Sequence, residues 1–64
     1  MMKTMNLYSV KDFIYWIGCN ASVSRFNTTE EKNDVFPMSY PCKIVYEIRG
    51  VAPCVYVEYH FEEL

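Results

Sequence analysis

The stretch KIVYEIRGVAPCVYVEYHFEEL, residues 43–64, decides the fold. Successive side chains of a strand point to opposite faces, and both halves of this stretch alternate with that period. In the first half Ile44, Tyr46 and Ile48 share one side, and Lys43, Val45, Glu47 and Arg49 share the other. In the second, Val55, Val57, Tyr59 and Phe61 alternate with Cys54, Tyr56, Glu58 and His60. Gly50 and Pro53 punctuate the chain between them. With a loop Gly50 to Pro53, Ile48 opposes Val55, Tyr46 opposes Val57 and Ile44 opposes Tyr59. A slip of one residue would mix apolar with charged side chains, so the pairing parity is strongly specified. These residues predict a C-terminal β-hairpin with one apolar and one wet face.

The apolar face needs a cover, and residues 9–18, SVKDFIYWIG, supply one as a helix. Ser9 suits the N-cap, and Asp12 three residues on completes a capping-box-like pair at the positive end of the helix dipole. Tyr8 and Phe13 are spaced for a hydrophobic staple. Val10, Phe13, Ile14 and Ile17 fall at i, i+3, i+4 and i+7, predicting the buried stripe. Gly18 suits a left-handed residue just past the end. A helix this short is marginal alone and must lie on an apolar surface.

Residues 21–27, ASVSRFN, predict a third strand, with Val23 and Arg25 on one side and Ser24 and Phe26 on the other. Met5 and Leu7 predict an edge strand that would make a fourth. In the polar connection TTEEKNDVFPMSYP, Thr28 and Glu31 are spaced to cap one helical turn, and Pro37 and Pro41 prevent a long helix. The expected fold class is α+β. One small domain spans residues 1–64, with one N-terminal helix packed on a three- or four-stranded antiparallel sheet that ends in a C-terminal hairpin.

Composition bounds the function. Apolar residues make up 52% of the chain and charged ones 22%, which excludes disorder. A formal net charge of −2 and a pI near 5.2 argue against an electrostatic nucleic-acid binder. The charge is unevenly spread: residues 33–64 hold five Asp/Glu against two Lys/Arg, and Glu58, Glu62 and Glu63 form an acidic end. The longest apolar run, FIYWIGC at residues 13–19, falls far short of the ~20 residues that span a bilayer. The start has a lysine but no apolar core of a signal peptide, so the expected location is cytoplasmic, where thiols stay reduced. Phe, Tyr, Met, Ile, Asn and Lys, which have AT-rich codons, total 26 residues, against 9 for Gly, Ala, Arg and Pro. That ratio points to an AT-rich gene, as in many low-GC bacteria and their phages.

No constellation in the sequence carries catalysis. Cys19, Cys42 and Cys54 are odd in number. Cys42 and Cys54 fall at opposite ends of the expected hairpin, about 20 Å apart at ~3.3 Å per residue, too far for a disulfide. The three cysteines and His60 match a zinc site in number but lack a paired-cysteine knuckle, so no metal is expected. Cys42 lies on the opposite sheet face from His60, which removes a thiol–imidazole pair. No Ser-His-Asp set occurs, and two glycines in all are too few for a phosphate-cradling loop. Asn20-Ala-Ser and Asn27-Thr-Thr match the glycosylation pattern and are expected to be chance matches, given the cytoplasmic location expected here. No catalytic residue, cofactor or metal is assigned.

The surplus is aromatic: six Tyr, four Phe and one Trp are more rings than so small a core hides. Tyr15 and Trp16 lie beside the expected helix stripe, and Tyr56 projects from the wet sheet face. Tyr and Trp combine apolar area with a polar handle, which suits an interface with a protein. The expected partner-binding residues are therefore Tyr15, Trp16, Tyr56, Glu47, Glu58, His60, Glu62 and Glu63. The function expected is a small non-enzymatic protein-binding module, of the kind a phage or mobile element uses to modulate a host protein. Two other readings stand beside it: self-association as a homodimer through a sheet edge, and single-stranded nucleic-acid binding through an aromatic sheet face.

Overall fold

The computed structural model describes residues 1–28 and 35–64. The element order is β1 (Lys3–Leu7), α1 (Val10–Cys19), β2 (Arg25–Thr28), β3 (Cys42–Arg49) and β4 (Tyr56–Glu63). The four strands form one sheet in the order β1-β3-β4-β2, with α1 on one face. The helix, the fourth strand and the C-terminal hairpin all follow the sequence pattern. The sheet differs from expectation in being mixed. β1 and β4 run antiparallel to β3, but β2 runs parallel to β4. The helix between β1 and β2 carries the chain over the sheet in a crossover, so β2 arrives in the same direction as β1 and therefore as β4. The capping pair expected between Thr28 and Glu31 has its second member outside the described residues.

The hairpin pairs Ile48 with Val57, Tyr46 with Tyr59 and Ile44 with Phe61, two residues on from the expected register. The loop runs Gly50 to Val55 because residues 53–55 are engaged elsewhere. The Ser24 amide donates to the Val55 carbonyl at 2.7 Å and the Ser24 hydroxyl to the Pro53 carbonyl at 2.8 Å. Cys54 N–H closes the loop on Val51 O at 2.7 Å. A shift of two preserves parity, so every hairpin side chain stays on its expected face. Gly50 has φ +86°, and a Cβ there would collide with the Cys54 carbonyl oxygen.

The start of α1 uses its acidic residue differently from a capping box. Ser9 is extended and its hydroxyl makes no cap bond, while Asp12 Oδ2 accepts the Tyr8 N–H at 2.8 Å. Tyr8 is exposed, so no staple to Phe13 forms. Gly18 lies inside the helix, and Asn20 ends it. The Asn20 backbone N–H and side-chain amide both donate to the Trp16 carbonyl, at 3.2 and 2.8 Å. A side-chain amide closing the last turn leaves no need for a left-handed glycine.

The buried face of α1 is Phe13 and Trp16, not the expected Val10, Phe13, Ile14 and Ile17 stripe. Trp16 is 1% exposed and stands at the centre of the core. It has Phe26, Tyr46 and Tyr59 at 5.3–5.5 Å between ring centroids and Phe13 stacked at 6.1 Å. Leu7, Ile44 and Val57 complete the fully buried set. An aromatic of this size takes about 150–250 Å² out of water, worth about 4–6 kcal/mol before ordering costs. That gain selects the Trp16 side of α1 over the smaller Val10–Ile14 side.

Candidate functional site

Two surfaces remain after the core is filled: the sheet face turned away from α1, and the outward side of α1 itself. Strand parity puts Thr4 and Asn6 of β1 on the sheet face, with Lys43, Val45, Glu47 and Arg49 of β3. Tyr56, Glu58, His60 and Glu62 of β4 follow, and Arg25 and Asn27 of β2 close the row. Six of the eight expected partner-binding residues are on β3 and β4, and five of those six share this face.

Its charges answer one another. Glu47 receives the N-terminal ammonium of Met1 and Arg49 Nη1, both at 2.8 Å. Those two hydrogen bonds, the ammonium's first, hold the Glu47 carboxyl below its usual range. Arg49 Nε also reaches Glu58 at 3.2 Å, and the bond from Arg49 to Glu47 is the main cause of a raised Arg49 pKa. Glu62 holds His60 Nε2 at 2.7 Å and Lys43 Nζ at 3.6 Å, and its carboxyl is lowered, chiefly by the His60 bond. Tyr56 lies under the Arg25 guanidinium, 5.2 Å from the ring centroid, and its ring packs beside Gly50. Exposed pairs of this kind contribute little stability each. Their effect is to turn Glu47, Glu58, Glu62 and Tyr56, with His60, into a largely self-paired mosaic.

The remaining candidates fall elsewhere. Glu63 sits exposed at the end of β4, facing the α1 side by parity, with no ion pair among the described residues. Trp16 is removed from the surface altogether, because the core claims its ring. Tyr15 is 66% exposed on α1, next to Cys19, whose hydrogen bond first and whose charge second push the Tyr15 phenol upward. His60 Nδ1 is buried without a hydrogen-bond partner among the described residues. The three cysteines are free thiols, Cys42 buried and Cys19 and Cys54 exposed, and burial raises the Cys42 pKa. Among the described residues no three His, Cys, Asp or Glu side chains gather as a metal set. No helix of the described residues is long and apolar enough to cross a membrane.

The outward side of α1 is the surface that the sequence pattern assigned to the core. Val10 is 56% exposed and Ile14 61%, with Ile17 at 37% on the flank. Gly18 continues the row with open space where a Cβ would stand. The signal for this was present but ambiguous. VKDFIYWIGC is apolar around most of its circumference, so two overlapping arcs satisfy helical periodicity. Side-chain size separates them: only the Phe13–Trp16 arc carries two large rings.

The chain matches no protein-family model, no curated protein and no solved structure.

Proposed function

We propose that this chain is a small non-enzymatic protein-binding module that presents the outer face of α1 to its partner. The observation that supports it is the row Val10, Ile14 and Ile17, three aliphatic side chains left in water on a helix whose other side is fully used. Aliphatic anchors at i, i+4 and i+7 are the pattern by which a helix lies in an apolar groove. Tyr15 beside the row adds apolar area and a hydroxyl. The acidic end of β4 ranks second as a contact surface, since most of its carboxylates already hold cations. Tyr56 makes a poor base-stacking platform with Arg25 over its ring, and that counts against single-stranded nucleic acid.

The same proposal puts the chain in a reducing cytoplasm, with its cysteines as thiols. The AT-rich composition supports the narrower role of a phage or mobile-element modulator of a host protein, in a bacterium or an infected cell. The test is affinity capture from such cells with three baits: wild type, Ile14→Asp, and a sheet-face variant carrying Glu58→Gln and Glu62→Gln. A stoichiometric protein held by wild type and the sheet-face variant but lost with Ile14→Asp supports the proposal. Equal capture by Ile14→Asp, or loss only with the sheet-face variant, moves the site off α1.

A further inference from the structure

We infer that the partner fitted to the outer face of α1 is a second copy of this chain, packed antiparallel about a two-fold axis through Ile14. The inference rests on the proposal that this face binds protein, and it names the occupant. Val10, Ile14 and Gly18 fall at i, i+4 and i+8, a single ridge of the kind by which helices interdigitate. Ile14 is its midpoint. In a two-fold contact residue i meets residue j and j meets i, so Val10 of each copy meets Gly18 of the other. The shapes agree: a branched knob at one end of the ridge, and at the other a residue with nothing within 4 Å of a built Cβ.

The flanks are self-complementary too. Lys11 and Ile17 are also symmetric about Ile14, so the methylene stem of each Lys11 lies along the Ile17 of the other copy. Its ammonium then reaches toward the C-terminal end of the partner helix. That end carries partial negative charge from its carbonyls, and α1 has no basic residue of its own in the last turn to meet it. The acidic residue of α1 is kept out of this contact. Asp12 is turned back onto the Tyr8 amide, so no carboxylate opposes a carboxylate. The two Lys11 residues stand about 9 Å apart along the axis at ~1.5 Å per residue, about one Debye length at physiological salt, so their mutual repulsion is weakened.

A contact of one ten-residue helix is small, so the dimer is expected at the weak end of specific interfaces, with dissociation in the micromolar range. Sedimentation velocity of the purified full chain from about 1 µM to about 1 mM reads it directly. The wild type should shift from a 7.6 kDa species to one of twice that mass as concentration rises. Ile14→Asp should remain at the lower mass throughout. Gly18→Leu should do the same for a different reason: it has free space in the single copy but fills the notch that Val10 of the other copy needs. Circular dichroism should show that both variants keep the helix.

Three results would overturn the inference. A wild type of 7.6 kDa at every concentration removes the second copy, and α1-dependent capture of another protein would then leave the binding-module proposal standing. A dimer indifferent to both variants uses another surface, such as the β1 edge. A dimer lost with Ile14→Asp but kept with Gly18→Leu rules out the Val10–Gly18 contact.

Discussion

Trp16 and Tyr46 meet edge to face, 5.3 Å between ring centroids and 78° between ring planes. With Phe26 and Tyr59 they tie α1 to three strands that share no backbone hydrogen bonds with it. Trp16→Ala is expected to cost about 3–5 kcal/mol, most of the stability of a domain this small. Urea unfolding checks it, with near-ultraviolet circular dichroism as a second probe. The wild-type fluorescence, from the single tryptophan, should be blue-shifted and insensitive to iodide. Emission typical of a water-exposed indole would contradict the placement of this ring.

Gly18 sits within α1 and has no neighbour that a methyl group would strike. Gly18→Ala is expected to stabilise the chain by about 0.5–1 kcal/mol, because alanine loses less backbone freedom in a helix. The midpoint of urea unfolding should rise at constant slope.

Gly50 behaves in the opposite way. Its positive φ and the Cys54 carbonyl leave no room for a side chain. Gly50→Ala is expected to destabilise by about 1–3 kcal/mol through strain in the hairpin loop. Thermal melting of the two glycine variants side by side should move the midpoints apart.

The Glu47 carboxyl, held by the Met1 ammonium first and Arg49 second, has its pKa lowered in the folded chain. A lowered folded pKa means the unfolded chain binds the proton first on acidification. The stabilisation is therefore complete above the unfolded value and fades as pH falls below about 4.5 through the folded one. Glu62 adds to the same window through His60. Glu47→Gln should flatten the stability profile between about pH 5 and pH 3 relative to wild type. An unchanged profile would mean that neither the Met1 ammonium nor Arg49 holds the Glu47 carboxylate in solution.

Most of the fold was legible because parity and periodicity report faces. Ile44, Tyr46 and Ile48 fell on the core side whichever register the hairpin took, since the observed shift of two residues conserves parity. The register itself was hidden in a tertiary contact. Ser24 holds Pro53 and Val55 away from the ladder, and no local signal in the loop announces a bond to a segment 29 residues earlier. The direction of β2 was equally hidden, because alternation is the same in parallel and antiparallel strands. The candidate site was less legible than the fold. Periodicity found the aliphatic row of α1 but placed it in the core, and ring size was the missing criterion. Tyr56, Glu47 and Glu58 fall on the wet face as the alternation indicates, but the cations that occupy them come from Arg25 and Arg49 on two different strands and from the amino terminus.

The strand order β1-β3-β4-β2 has a consequence for biosynthesis. Both edge strands and the helix belong to the first 28 residues, while the two central strands come after residue 41. As the chain leaves the ribosome, β1, α1 and β2 emerge with nothing to pair with, and Trp16 and Phe26 have no sheet to rest on. Translation at about 5–20 residues per second leaves that state standing for a few seconds. Neither edge can be placed until the hairpin between them has been made. The sheet therefore closes only once β4, which bridges β3 to β2, has been made.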